Sequence, residues 1–371
     1  MIPVETLGAL STGDTSLRFT GGLRFACAEC LRSGSQRPAG PIRTALRALS
    51  APYRIAVGLR NALYDRGFAR SHAVPVPVVS VGNLTTGGTG KTPLVQRICR
   101  FYLDNGLEPV ILSRGYGRGP DRQSDEVLLY DRILPGVRHY EAPSRLRAAA
   151  TALEERPPDV FILDDGFQHR QMARALDVVV IDALASPFAD RLLPGGNLRE
   201  PVRSLRRAGV VILTRTDLAD HDRLEALRRS LKSAASDCAV AETRFAPRRL
   251  VSVPTGEEEI LDAARRVRAG AFAGIGSPEN FRLTLQRIGV QLVFWRPFAD
   301  HHWYSDDELA ELGRAEVDIL LTTLKDAVRI GERWQFHKPL YALETETLFT
   351  RGRTAFELLL SQVVKPDGAQ E

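Results

Sequence analysis

The chain has 371 residues, 44% of them hydrophobic and 26% charged, with a formal net charge of +5 and only four cysteines. That balance describes a soluble globular protein with room for two domains and excludes disordered, fibrous and disulfide-framework classes. The positive excess, mostly arginine, suits an anionic partner but lacks the aromatic-basic signature of a nucleic-acid-binding module, and no apolar run reaches the roughly 18 residues of a membrane span.

Residues 1–40 are rich in Gly, Ser and Thr and read as a variable leader. Glu5, Asp14 and the lack of an apolar core with a cleavage site argue against a secretory signal. Cys27 and Cys30 form a C-x-x-C pair with no second pair or His cluster at zinc spacing, so they read as two ordinary thiols in a reducing, cytoplasmic compartment. Across 41–70, Leu46, Leu49, Tyr53, Ala56, Val57, Leu63 and Tyr64 recur at helical spacing, interleaved with Arg43, Arg47, Arg54, Arg60, Arg66 and Arg70. Such a helix can lie in a membrane interface or pack on the protein, and Pro52 interrupts the stripe.

From Val76 the chain alternates strands and helices. Val76–Val81, Val110–Leu112, Val127–Tyr130, Val160–Leu163, Val178–Ile181 and Val210–Leu213 read as strands, with a helix over Pro93–Asp104. A second series gives strands at Ala271–Ile275, Leu292–Phe294, Ile319–Thr322 and Tyr341–Leu343, and helices at Glu279–Ile288, from a capping box at Ser305–Glu308 to about Glu316, and at Thr347–Leu360. The expected fold is α/β: a P-loop nucleotide-binding parallel sheet over 71–210 with helices on both faces, and a smaller α/β lobe over 211–371.

The chemistry concentrates at Thr85-Thr86-Gly87-Gly88-Thr89-Gly90-Lys91-Thr92, between a strand and a helix start. Glycines let backbone N–H groups approach phosphates, and the helix N-terminus adds partial positive charge. Lys91 would reach the β/γ-phosphates and the Thr92 hydroxyl would ligate Mg²⁺. Thr85 stands where the general pattern wants glycine. A P-loop site needs carboxylates: Asp164-Asp165 end an apolar strand, and Asp125-Glu126 open the Val127–Tyr130 run. Asp300-His301-His302 offers adjacent histidines, one for a site and one for the surface, and Arg199 can clamp phosphate through its planar fork.

Three segments, Gly82–Pro93, Ser113-Arg114-Gly115-Tyr116-Gly117 and Asp164-Asp165-Gly166-Phe167-Gln168-His169, followed in order by Leu193–Pro201, Phe298–His302 and Thr323-Leu324-Lys325-Asp326, resemble the tetraacyldisaccharide 4′-kinase family from about Leu46 onwards. The resemblance implies ATP- and Mg²⁺-dependent phosphorylation of the 4′-hydroxyl of an acylated glucosamine disaccharide 1-phosphate, in a cleft between two α/β lobes. It implies Asp125 as base with His301 paired to it, Lys91 on the phosphates, Thr92, Glu126 and Asp165 around the metal, and Asp164, His169, Arg199 and Glu200 lining the cleft. It turns the basic helix into an interfacial anchor, with the protein peripheral on the cytoplasmic face of the inner membrane and no nucleic acid or obligate protein partner. The chain departs from the family at Ser124, where glycine is usual, in a shortened segment Arg118–Ser124, at Leu324, where Glu is usual, and in residues 1–40. The rival is a P-loop GTPase or ATPase switch or a metal-insertion chaperone. It is disfavoured by Thr214-Arg215-Thr216-Asp217 in place of a base-reading Asn-Lys-x-Asp, and by Thr86 where such proteins carry a lysine.

Overall fold

The computed structural model describes residues 40–115 and 124–364, with side chains from Thr44. The leader, Cys27 and Cys30, Tyr116-Gly117 and the shortened segment up to Gln123 lie outside them.

Helix α1 (Gly40–Asp65) runs unbroken through Pro52. Proline removes one N–H from the helix ladder, but Ala48 and Pro52 both lie on the exposed face, where water can satisfy the freed carbonyl. The opposite face is tied down: Ser50 Oγ donates to Leu192 O at 2.9 Å and the Tyr53 hydroxyl to Arg199 O at 2.9 Å.

Among the described residues twelve strands form one continuous sheet. Its first part contains β1 (Val78–Gly82), β2 (Pro109–Ser113), β3 (His139–Glu141), β4 (Val160–Asp164), β5 (Leu176–Asp182) and β6 (Val210–Thr214), in the order β3-β2-β4-β1-β5-β6 and all parallel. β7 (Ala239–Ser252) continues parallel to β6. Beyond it come β12 (Leu340–Arg351), β11 (Ile319–Thr323), β9 (Ala269–Ala273) and β10 (Leu292–Pro297), while the short β8 (Glu258–Glu259) pairs β7 off this path. β12 and β8 run antiparallel to β7. β1, β2, β4, β6 and β9 are buried at every position, as strands covered on both faces must be. Burying each of Val78, Val79 and Val81 contributes roughly 1.5–3 kcal/mol.

Helices cover the sheet: α2 (Lys91–Asp104), α3 (Asp125–Ile133), α4 (Arg145–Glu155), α5 (His221–Ala234), α6 (Leu261–Arg265), α7 (Pro278–Arg287), α8 (Asp306–Arg314), α9 (Leu324–Ile330) and α10 (Arg353–Val364). The capping box at Ser305–Glu308 forms as expected, and α8 stops at Arg314.

The Val127–Tyr130 run is helical, not a strand. Ser124 Oγ accepts from Val127 N at 3.2 Å, and Asp125 and Glu126 sit in the first turn, where the helix dipole favours carboxylates. A short apolar run does not distinguish strand from helix, and the cap decides it. Thr347–Arg351 belongs to β12; α10 starts only after Gly352 turns the chain at φ 74°. Long β7 escapes a periodicity reading because its charges alternate irregularly around Pro247, which sits where the β7–β12 register shifts. α10 returns to the first part of the sheet: Phe356 and Leu360 share a core with Val95 and Ile98, and the Tyr102 hydroxyl donates to Leu360 O at 3.0 Å.

Candidate active site

The carboxyl ends of the parallel strands open on a cavity of about 1050 Å³. β1 sits between β4 and β5, where successive connections leave to opposite sides, the place at which open α/β sheets hold ligands. The loop after β1 is held by side chains around it. Asn83 Nδ2 donates to Thr89 Oγ1 at 3.0 Å, Thr214 Oγ1 to Thr89 O at 2.8 Å, and Arg215 Nη2 to Gly88 O at 3.0 Å. Gly90 has φ 91°, and a Cβ there would stand 2.4 Å from the Phe245 ring. No side chain fits at that position. Thr85 instead forms an antiparallel bridge with Leu198, an extended setting that any residue can take, so the missing glycine costs nothing. Gly87, Gly88, Thr89, Gly90, Lys91 and Thr92 face the cavity, while Thr85 and Thr86 lie off its wall. Thr86 N is engaged by Asn197 O at 2.8 Å.

Lys91 Nζ rests 3.3 Å from Asp165 Oδ1, and Arg199 Nη1 donates to Asp165 Oδ2 at 2.8 Å. Burial alone would raise the Asp165 carboxyl, but the two cations outweigh it and hold it well below the usual carboxylate range. Asp165 has φ 50°, a left-handed backbone that aims it back over the loop. Asp164 is fully engaged: Oδ2 accepts from the Tyr130 hydroxyl at 2.7 Å and Oδ1 from Asp165 N at 2.8 Å. Burial raises its pKa. Glu126, on the cavity wall, is pushed up to about 8, first by burial and then by the charge of Asp164. A carboxylate so disfavoured beside two others is a donor set that a hard cation would relieve. Among the described residues no group of three His, Cys, Asp or Glu side chains is placed to hold a metal ion by itself. Mg²⁺ does not require such a group, since it takes one or two carboxylates and completes its shell with phosphates and water.

The opposite wall comes from the distal strands. His301, at φ 61°, places Nδ1 2.9 Å from Asp125 Oδ2. Lys325 Nζ stands 3.3 Å from His301 Nε2 and 3.7 Å from Asp125 Oδ2. Burial opposes the charge on Asp125, yet the His301 hydrogen bond with the Lys325 and Arg329 cations keeps its carboxyl far below the usual range. An ionised carboxylate only accepts, so Nδ1 of His301 carries the proton. His302 does the structural work expected of one member of the pair: it stacks on Phe298 and binds Glu308 at 2.9 Å.

His169, Arg199 and Asp164 line the cavity as expected, and burial pushes His169 down to about 4. Two other expected residues lie behind the wall. Glu200, wholly buried, anchors α1 through Arg60 at 2.9 Å and Asn61 at 3.0 Å and also binds Arg207 at 2.9 Å. Asp125 is 0% exposed, and the cavity-lining groups against its carboxylate are His301 and Lys325. Sequence reasoning missed Arg215, Tyr130 and Arg329 as site residues, and it noted Lys325 only within a family segment without a role. For Lys325 and Arg329 a signal existed, since residues four apart on a helix opening at Thr323 share one face.

A Gly-rich strand-to-helix loop ending in Lys-Thr, with paired acids on the neighbouring parallel strand and a histidine–carboxylate pair across one cavity, defines a P-loop phosphotransferase. Residues 42–365 match the family model for tetraacyldisaccharide-1-P 4′-kinase. A tetraacyldisaccharide 4′-kinase of Anaeromyxobacter sp. (strain K) is 42% identical over 301 residues, covering 76% of this chain and 79% of its own. One of Syntrophus aciditrophicus (strain SB) is 34% identical over 362 residues, covering 90% and 96%. The crystal structure of the "apo" form of LpxK from Aquifex aeolicus in complex with ATP superimposes with a TM-score of 0.72 at 30% identity, covering 87% of this chain and 99% of that one. The chain belongs to the tetraacyldisaccharide 4′-kinase family.

Proposed function

We propose that the chain transfers the γ-phosphoryl group of ATP to the 4′-hydroxyl of an acylated glucosamine disaccharide 1-phosphate, giving lipid IVA in lipid A biosynthesis. One observation carries this reading: a single cavity holds Lys91 and Thr92 of the phosphate loop on one wall and His301, backed by Asp125, on the other. On nucleotide entry Lys91 exchanges Asp165 for the β/γ-phosphates, and the loop N–H groups cradle them. Thr92, Asp165 and Glu126 would hold Mg²⁺, which when bound neutralises charge on the transferring group. The acceptor proton passes to His301 Nε2 once the acceptor hydroxyl takes the place of Lys325 Nζ, which stands 3.3 Å from that nitrogen. Asp125 stays ionised behind the ring, fixing its tautomer and stabilising its charge, the division of labour of a histidine–carboxylate pair. Arg199 and Arg145, also on the wall, supply fixed positive charge for phosphate oxygens.

The cavity exceeds the roughly 300–1,000 Å³ of ordinary small-molecule sites, in keeping with two large substrates. Tyr53, Arg60 and Tyr64 of α1 line it, which puts its α1 end beside an exposed apolar row: Leu49, Ile55, Leu59 and Leu63. With its arginines, that row fits a lipid surface, and the acyl chains would leave the cavity on this side. The reading places the protein peripherally on the cytoplasmic face of the inner membrane, and among the described residues no helix is long and apolar enough to cross a membrane. The deciding experiment offers purified protein ATP, Mg²⁺ and the disaccharide 1-phosphate in detergent micelles. The reading expects label at the 4′ position, and nucleotide hydrolysis without transfer would overturn it.

A further inference from the structure

Arg329 lies on α9 with its side chain 0% exposed. Burying a guanidinium is costly unless its hydrogens find charged partners, and these do. Nε donates to Asp125 Oδ2 at 2.9 Å, Nη2 reaches the same oxygen, and Nη1 donates to Gly274 O at 2.7 Å and Asp326 Oδ1 at 3.0 Å. Asp326 is saturated by others as well: its Oδ1 accepts from Gly274 N at 3.0 Å and the Tyr304 hydroxyl at 2.9 Å, its Oδ2 from Thr323 Oγ1 at 2.6 Å. Gly274 O also accepts from His301 N at 3.2 Å. The guanidinium therefore touches the carboxylate behind His301 and the main-chain carbonyl that seats His301.

Asp125 uses its two oxygens unequally. Oδ2 takes His301, Arg329 and the nearby Lys325 cation, while buried Oδ1 has no partner among the described residues. Such a carboxylate is oriented by the side that holds it, and Arg329 supplies two of its donors. Arg329 pairs with both buried acids, and charge balance alone does not dictate that two of its nitrogens converge on the one Asp125 oxygen that also faces His301.

We propose that Arg329 is a positioning residue for phosphoryl transfer, holding Asp125 Oδ2 where His301 Nδ1 donates to it and so fixing the tautomer and direction of the imidazole. The proposal rests on the kinase reading above. Lysine cannot substitute, because a point charge cannot serve Asp125 and Gly274 from one rigid plane.

The test uses full-length Arg329→Lys and Arg329→Gln, each alone and combined with Asp125→Asn. Arg329→Lys should lower kcat on the order of 10²-fold while the KM for ATP stays within about twofold, the pattern of misplaced chemistry rather than lost nucleotide binding. The His301 Nδ1–H resonance, assigned by its disappearance in His301→Asn, should shift or broaden in Arg329→Lys. Arg329→Gln added to Asp125→Asn should cost no further rate, because both act through one contact. That neutral pair keeps the shape of the original and supplies a folded comparison should Arg329→Lys unfold. A wild-type kcat in folded Arg329→Lys, an unmoved His301 resonance, or losses that multiply in the double variant would overturn the proposal. If the unmodified protein never phosphorylates the disaccharide, the kinase reading fails, and the His301 resonance still decides the role of Arg329.

Discussion

The two walls of the cavity are built on different principles. The phosphate side is one short stretch, Gly87–Thr92, whose working groups are largely main-chain N–H groups presented by a strand and the helix that follows it. The opposite side is an assembly of side chains: Asp125 meets His301 across 176 residues and Arg329 across 204. A local site tolerates movement elsewhere because backbone geometry holds it. An assembled site depends on every element that brings its members together, and small displacements of any of them are felt as lost rate.

The sharpest way to break this contrast is to damage each side in turn. Asp125→Ala should depress kcat by roughly 10²–10⁴-fold while ATP affinity stays nearly intact, whereas Lys91→Ala should weaken ATP binding as well as rate. Steady-state kinetics with each substrate varied separate the two patterns, and matching losses of ATP affinity would erase the distinction. Asp125→Ala also strands the buried Arg329 cation, so its unfolding midpoint should fall where that of Lys91→Ala does not.

A smaller effect is expected at the lipid end. Deleting residues 42–66 should lower vesicle association and activity on long-chain acceptor by about tenfold or more, with ATP binding changed far less. Sedimentation with anionic vesicles reads the first and nucleotide titration the last; unchanged partitioning would remove α1 from the membrane account.

The smallest effect concerns stability and lies away from both walls. His139 is pushed down to about 4 by burial against Tyr130. A histidine held neutral in the fold takes up protons in the unfolded chain first, so its contribution is whole above about pH 6.5 and is lost as pH falls towards about 4. Denaturant titrations at both ends of that window should show His139→Gln losing less on acidification than the unmodified protein, by on the order of 1–2 kcal/mol.

The same contrast explains what the sequence could disclose. The phosphate loop, its flanking strand and Asp164-Asp165 are legible because local order along the chain and order in space coincide there. The α/β class and most strands are legible because β-branched runs such as Val160–Leu163 recur in alternation with helical patterns along the chain. Val127–Tyr130 misled because its fate hangs on one hydroxyl, Ser124, capping the turn before it. β7 went unread because a register shift between Pro247 and Arg249 breaks its alternation, and its pairing with β12 is a matter of tertiary contact. The other wall was visible only as separate fragments. Asp125, His301 and the Lys325-Asp326 pair each stood out, yet nothing in their spacing says that they converge, and Arg329 had no motif at all. Glu200 reads as a site residue beside Arg199, but consecutive residues in an extended segment point apart, and it faces α1 instead.

The return of α10 to the first part of the sheet has its own consequence. Tyr102 and Arg97, on the helix that opens at Lys91, are met by Leu360 and Glu357. During synthesis, then, the helix carrying the phosphate-loop lysine waits until Glu357 and Leu360 have emerged before its buried face is covered. The nucleotide half is not an independent module to which an acceptor half was appended. It is closed from behind by the last helix of the described chain, so a ribosome that stalls before Leu360 releases a product with the loop sequence complete and the surface beneath it open.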